Sequence, residues 1–414
     1  MICWGKRILC QINHVIQYAL IRTLQAMSGD WEKNPKLEKH RRFSILVIRL
    51  DEIGDMVLMS PFLRELRRNF PKAHITLVVN SVVYNIVELC PYVDEILQLK
   101  RSRGRFAFYS IVYRTLRFAW RYLRKKQFDL AIVPRFDSDR YYGASLLAFF
   151  SGAKSRVGYS EHVLHSKMIL DRGYDGLYTD VLQSDRNQIC HEVERNLDVL
   201  RFLGNRISDS KLEIWTNEQD EIKAERILLK YDFHDKKTIA VVLAAGRRNK
   251  EWPVQSYVSV IERLQKEMPI QVVLLGAGEP SISYGKVFCD AVPDTINLIN
   301  RTTLRESAEI LRKCDCYLGG DTGLMHIAAT LKIPGIALFA NHLDWMREGI
   351  DTPDRFGPWN SPIICIQPPC AASGEEEGFV ECLYIGGISV ELVQENLAHI
   401  IKKQCGCEGD CYFG

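Results

Sequence analysis

"GGDTGLMHIAATLKIPGIALF", residues 319–339, places five small or polar residues between two apolar segments. "CDCYLGG" (314–320) reads as a buried strand, "IPGIALF" (333–339) as the next one, and the stretch between them as a helix. Strand, Gly-rich turn, helix and second strand make a βαβ unit, and such units build parallel sheets covered on both faces. The turn would present free backbone N–H groups and the positive end of a helix dipole at the carboxyl edge of the sheet, which suits anions and phosphates above all. Gly319 and Gly320 permit close backbone approach, Asp321 or Thr322 can cap the helix, and His326 falls about one turn in. A capped turn that holds no ligand has the same pattern.

The same grammar extends upstream. "TIAVVL" (238–243) and "IQVVLLG" (270–276) are further strands of this run. A separate run begins at residue 43, with "SILVIRL" (44–50), "HITLVVN" (74–80) and "FDLAIVPR" (128–135) as strands and amphipathic helices between them. Pro61 inside the first helical pattern marks a kink or a restart. From about 160 to 236 the chain reads as polar and helical, including "HEVERNLDVLRFLG" (191–204), where Val193, Leu197, Leu200 and Leu203 form one stripe ended by Gly204. Two βαβ runs in 414 residues imply an α/β protein of two Rossmann-like domains with parallel sheets facing across a cleft. The expected division is an amphipathic, basic arm at 1–42, an N-terminal domain at 43–225, a C-terminal domain at 226–385, and a helix with a Cys-rich tail at 386–414.

Composition narrows the class. A formal net charge of +3 excludes a globally basic nucleic-acid coat, and no nucleic-acid partner is expected. No run of eighteen apolar residues is present, so no segment is expected to span a bilayer. The arm "KRILCQINHVIQYALIRTL" (6–24) is interrupted by Gln11, Asn13, His14 and Gln17 and lacks a small-residue cleavage site, so it reads as retained. Ile8, Ile12, Val15, Ile16, Ala19 and Leu20 recur at helical spacing, as in an amphipathic helix docked on the protein's own surface or lying on a membrane. Thirteen cysteines scattered along such a chain point to a reducing, cytoplasmic setting rather than a disulfide framework.

Charge is uneven locally. Residues 101–126 hold nine Lys or Arg, among them Arg114, Arg117, Arg121 and Arg124, and no acidic residue; Phe106, Phe108, Tyr109, Tyr113, Phe118, Trp120 and Tyr122 are interleaved. The segment is either a solvated basic helix with its aromatics in the core, or a contact for an anionic membrane surface or a phosphorylated acceptor.

Three strand-end loops of the second run carry complementary chemistry. Beside 319–326, "AAGRRNKEWP" (244–253) offers Lys250 as a point charge for a pyrophosphate, although it lacks the Gly-Lys-Ser/Thr of a P-loop. "LLGAGEP" (274–280) offers Glu279 to the hydroxyls of a ribose, or simply opens a helix with it. Together they read as a nucleotide site. In the first run, "RLDEIGD" (49–55) places Asp55 at a helix start, where a carboxylate acts as an N-cap or accepts a proton from an attacking hydroxyl, with Asp51 as the second choice of base. The Asp-x-Asp of "FDSDR" (136–140) is a weak candidate for Mg²⁺ or Mn²⁺. Cys365, Cys370, Cys382, Cys405, Cys407 and Cys411 crowd the tail, and four of them, with Cys365, Cys370, Cys382 and Cys405 as the candidate set, can hold structural Zn or Fe or remain free thiols.

"ILVIRLDEIGDMVLMSPFLRELRRNFP" (45–71), "HEVERNLDVLRFLG", "NKEWP" and "YLGGDTGLMHIAATLKIPGIALF" (317–339) resemble, in order, the ADP-heptose:lipopolysaccharide heptosyltransferase family, glycosyltransferase family 9. The resemblance runs from about 43 to 400 and implies a GT-B fold, donor in the C-terminal domain and acceptor in the N-terminal one. It also implies inverting transfer of a heptose from ADP-heptose to a lipopolysaccharide-type or other surface glycan, with no cofactor required for catalysis. By motif, Asp55 matches the family's general base, Lys250 the lysine near the donor phosphates, and Asp321, Thr322, Gly323, Leu324 and His326 the phosphate-binding motif; Glu279 is a looser match for the ribose carboxylate. Another nucleotide sugar, a protein acceptor, or a nonenzymatic scaffold on the same fold are the alternatives. Enzyme and membrane-borne acceptor would meet at the cytoplasmic face of the inner membrane. The arm and the basic aromatic segment go beyond the family's minimal pattern.

Overall fold

The computed structural model describes residues 43–100, 107–184, 189–231, 236–341, 352–369 and 385–404, with residues 18–19, 21–23 and 26 of the arm. The described chain forms two compact units, each built on its own sheet.

In the first unit, β1 (Ser44–Arg49), β2 (His74–Asn80), β3 (Glu95–Leu99), β4 (Leu130–Val133), β5 (Ser155–Tyr159) and β6 (Asp180–Leu182) pair in the order β3-β2-β1-β4-β5-β6. All of these pairs are parallel. The β-branched and aliphatic runs of β1 and β4 are buried on both faces, as a sheet covered by helices on either side requires. Leu46, Ile48 and Val133 pack with Phe128 and Leu147 in one core. Ile21 of the arm is fully buried in that core, and Tyr18 lies over Gly173, where an added Cβ would meet its ring at 3.3 Å. This part of the arm therefore docks on its own unit.

In the second unit, β7 (Lys237–Val242), β8 (Ile270–Leu274), β9 (Ile296–Asn297), β10 (Cys316–Gly320), β11 (Gly335–Leu338) and β12 (Ile363–Ile366) run in the order β12-β11-β10-β7-β8-β9. These pairs too are all parallel. Counted from the first strand of each unit, both sheets have the strand order of a doubly wound nucleotide-binding fold, whose switch point falls between β1 and β4 in one and between β7 and β10 in the other. The helix Val390–Gln404 belongs to this unit's core, contributing Val393, Leu397 and Ile401 beside Ile239, Val241 and Tyr257.

The first unit ends at Ser210, and the helix Glu218–Leu228 groups with the second, ahead of the expected boundary at 225. Two short segments from the first run, Ile53–Leu58 and Asn85–Leu89, also group with the second unit. Arg305 explains the latter: its backbone N–H donates to Asn85 Oδ1 at 3.2 Å and its guanidinium pairs with Glu88 and, at 2.8 Å, with Asp220. Pro61 marks a restart, since the helix Ile53–Leu58 ends before a second helix, Ser60–Asn69, that carries the proline in its first turn.

Candidate nucleotide site

The five residues Gly319 to Gly323, from the end of β10 into the helix Gly323–Thr330, each have a definite task. Thr322 caps the helix, its hydroxyl accepting from the Met325 N–H at 3.4 Å. Asp321 does not cap; its carboxylate receives the Lys250 ammonium at 2.5 Å, with His326 Nε2 at 3.8 Å from the other oxygen. The turn after β7 and the turn after β10 are thus tied by one charge-assisted bond between residues 71 positions apart. The two glycines make room for the protein's own atoms. A Cβ on Gly319 would collide with the Tyr317 phenol, and one on Gly320 would lie 3.2 Å from the Lys250 carbonyl. The Tyr317 hydroxyl lies under the turn, 3.4 Å from Gly320 O and 3.5 Å from Thr322 Oγ1, and burial raises its pKa.

The rest of "KEWP" is an anchor for Lys250. Trp252 is buried, donates from Nε1 to the Ile388 carbonyl at 3.2 Å and stands edge-on to Tyr257. Glu251 accepts from the Ala245 N–H at 3.3 Å and from the Tyr284 hydroxyl at 2.9 Å, and that bond, the largest influence on it, raises the Tyr284 pKa. Glu279 stands exposed as the first residue of the helix Glu279–Ala291, after a β8 loop turned by Gly276 and Gly278 at φ 147° and 89°. Asp55 is half-buried in the first turn of the helix Ile53–Leu58. That helix lies against Gly323–Thr330: a Cβ on Gly54 would be 2.7 Å from His326 Cδ2, and one on Gly323 would collide with Ile53. The structure therefore gathers Asp55, Lys250, Asp321, Thr322, Gly323, Leu324 and His326 into one unit.

Other candidates resolve differently. Asp51 is buried, paired with Arg49 at 2.6 Å and with Arg135, while Arg49 also donates to the Pro134 carbonyl, Asn196 and Glu192. Held between two guanidiniums, it fixes the end of β1. The "FDSDR" turn is built by hydrogen bonds: Asp139 accepts from the Ala144 and Ser145 N–H groups, and Asp171 accepts from Ser138 Oγ and from the N–H groups of Asp139 and Arg140. Asp171 lies outside any motif, so nothing local in the chain signals its part in this turn.

Arg114 parts company from Arg117, Arg121 and Arg124. It is half-buried and lines a cavity at the carboxyl ends of β1, β2 and β3 with Asn80, Lys100, Tyr141 and Tyr142, whereas the other three are exposed. Desolvation lowers the Arg114 pKa. Cys365 is a half-buried free thiol on β12, pushed up to about 12 by burial. Cys370, Cys382 and Cys405 lie outside the described residues. Among the described residues no three His, Cys, Asp or Glu side chains are grouped to hold a metal ion, and no helix is long and apolar enough to cross a membrane.

The family model for glycosyltransferase family 9 (heptosyltransferase) matches residues 116–377. The chain belongs to this family. As a family 9 member it is an enzyme that transfers a sugar. It is similar to the lipopolysaccharide core heptosyltransferase OpsX of Haemophilus influenzae, 20% identical over 323 residues that cover 77% of this chain and 82% of that protein. The fold is shared with the Escherichia coli ADP-heptose lipopolysaccharide heptosyltransferase II, at a TM-score of 0.64 and 21% identity over 87% of this chain and 99% of that one. Escherichia coli heptosyltransferase WaaC, solved with ADP, superposes at a TM-score of 0.63 and 16% identity, covering 86% of this chain and all of that one (100%). The two doubly wound units are those of a GT-B glycosyltransferase.

Proposed function

We propose that the chain transfers a heptose from ADP-heptose, with inversion and without a metal, to a lipopolysaccharide-type acceptor at the cytoplasmic face of the inner membrane. The observation that carries this reading is the Lys250–Asp321 pair at the head of the capped β10 turn, in a family whose members include heptosyltransferases. Asp321 holds the Lys250 ammonium beside the amino end of the helix Gly323–Thr330. A diphosphate arriving there would meet a fixed cation and the N–H groups of Gly323 and Leu324.

Asp55 takes the proton from an acceptor hydroxyl as that oxygen attacks the anomeric carbon, and the bond to the nucleoside diphosphate breaks on the opposite face. The negative charge that develops on the leaving diphosphate falls on Lys250 and the helix terminus, the task a divalent cation performs elsewhere. Glu279 accepts from the ribose hydroxyls, and Arg114 with Lys100 faces the acceptor from its cavity. Support comes from the motif match at Asp55, Lys250, Asp321, Thr322, Gly323, Leu324 and His326, from the looser match at Glu279, and from the ADP and ADP-heptose named for the similar enzymes.

Calorimetric titration with ADP, GDP and UDP, with and without EDTA, tests the donor side. Selective ADP binding that survives EDTA and weakens about tenfold or more in Lys250→Ala is expected. Preference for another nucleotide would overturn the donor, and loss with EDTA would overturn metal independence. NMR of the product's anomeric configuration checks inversion, and Asp55→Asn is expected to lower turnover by roughly 10²-fold or more with ADP affinity unchanged.

A further inference from the structure

The segment 107–126 has two distinct sides. Toward the first unit's core it buries Ile111, Thr115, Phe118, Ala119 and Leu123. Outward it shows Trp120, 69% exposed, Tyr113, 60% exposed, and Leu116, 42% exposed. These large apolar side chains recur three and four residues apart, so they share one strip of surface along the helix Ala107–Phe118 and the π-helical turn Ala119–Leu123 that continues it.

Arginines line the same strip. Arg117 Nη1 donates to the Tyr113 hydroxyl at 3.3 Å, Arg121 lies 5.4 Å from the centre of the Tyr122 ring and Arg124 5.8 Å from that of Trp120. Arg117, Arg121, Arg124 and Lys125 are exposed and make no ion pair among the described residues, whereas the next cation, Lys126, is held by Glu95 at 2.6 Å. No acidic residue occurs between 101 and 126. A purely solvated basic helix would place its aromatics in the core; here the tryptophan and a tyrosine face water between the guanidiniums.

We propose that this strip docks the enzyme on a bilayer surface bearing anionic phospholipid headgroups. Trp120 and Leu116 enter the boundary between headgroups and acyl chains, where an amphipathic ring is most stable, and Arg117, Arg121 and Arg124 meet lipid phosphates. Charge complementarity selects this occupant: the strip offers cations at the rim of an apolar stripe, and an anionic bilayer offers the matching layers of phosphate and hydrocarbon. The inference deepens the reading above, on which it rests for the reason a bilayer is approached at all.

The test is flotation of the full chain with vesicles of phosphatidylcholine alone and of phosphatidylcholine mixed with phosphatidylglycerol. Binding to the mixed vesicles that is absent from the neutral ones and reversed by high salt is expected. The triple variant Arg117→Gln, Arg121→Gln, Arg124→Gln is expected to bind mixed vesicles about tenfold or more weakly, and Trp120→Gln with Leu116→Gln to lose binding as well. Both replace exposed side chains and should bind ADP as the wild type does, which separates loss of this surface from loss of the nucleotide site. Equal binding to neutral and anionic vesicles, or binding unmoved in both variants, would overturn the proposal. So would tight binding of an RNA oligonucleotide through the same arginines with no vesicle binding.

Discussion

Gly54 has room for a hydrogen and nothing larger, because the His326 imidazole fills the space where a Cβ would stand. Gly54→Ala must push that buried ring aside, and overpacking of this kind costs typically ~1–3 kcal/mol. The unfolding midpoint should fall, and Gly54→Ala combined with His326→Ala should cost less than the sum of the two single changes, since the second opens the space the first needs. Additive effects would show that the contact carries no energy. Asp171 makes a second prediction. Burial, its largest influence, raises this carboxyl from 3.8 to about 6, against the lowering effect of Lys167. A carboxyl whose folded pKa lies above its unfolded one binds the proton more tightly in the native state. Its contribution is therefore fully present below about pH 4 and lost as pH rises through about 6. Asp171→Asn does not titrate, so the stability of wild type relative to this variant, from urea unfolding, should decline between about pH 4 and about pH 7. A relative stability that climbs over that range would contradict the assignment.

At the scale of elements, the helix Gly323–Thr330 depends on one side chain for its start. Thr322→Ala removes the acceptor for the Met325 N–H and should cost about 1 kcal/mol, while Thr322→Ser should keep the cap and most of the stability. Thermal unfolding of the pair of variants separates loss of the hydroxyl from loss of the methyl group. This turn, and the buried strands β1, β2, β4, β7, β8, β10 and β11, are legible in the sequence because a short, continuous apolar run bounded by turn residues is stable only where both of its faces are covered. Other strands are not. β3 is a half-buried edge strand, and β6 and β9 have three and two residues, too few to establish a period. β5 hides a buried arginine: Arg156 is accommodated by the Leu177 and Ala153 carbonyls, at 2.7 and 2.9 Å, partners that no local pattern announces. For the same reason the spacing of 319–323 suggests a cap without choosing it. Asp321 is claimed by Lys250, 71 residues away in the chain, which leaves the cap to Thr322.

For the molecule as a whole, two separate sheets imply two separate hydrophobic cores, and the helix Val390–Gln404 belongs wholly to the second. Sequence periodicity sets this helix apart with the tail because it follows the last strand and precedes a cysteine-rich stretch. Its burial depends on contacts with the helix Val254–Glu267 and with β11, far earlier in the chain. Leu397 is fully buried there among apolar side chains, so a cavity at its place would have nothing to hold a water molecule. Leu397→Ala should therefore cost on the order of 2–5 kcal/mol, all of it borne by the second unit. A chain of two units need not unfold in one step, and calorimetry of the variant reads the partition. If the units melt independently, one transition should move down by several degrees while the other stays in place, and ADP should raise only the transition that moved, since the proposed nucleotide site lies in the same unit. If instead both transitions shift together, the two units unfold as one cooperative block and the confinement of the loss to the second unit is overturned.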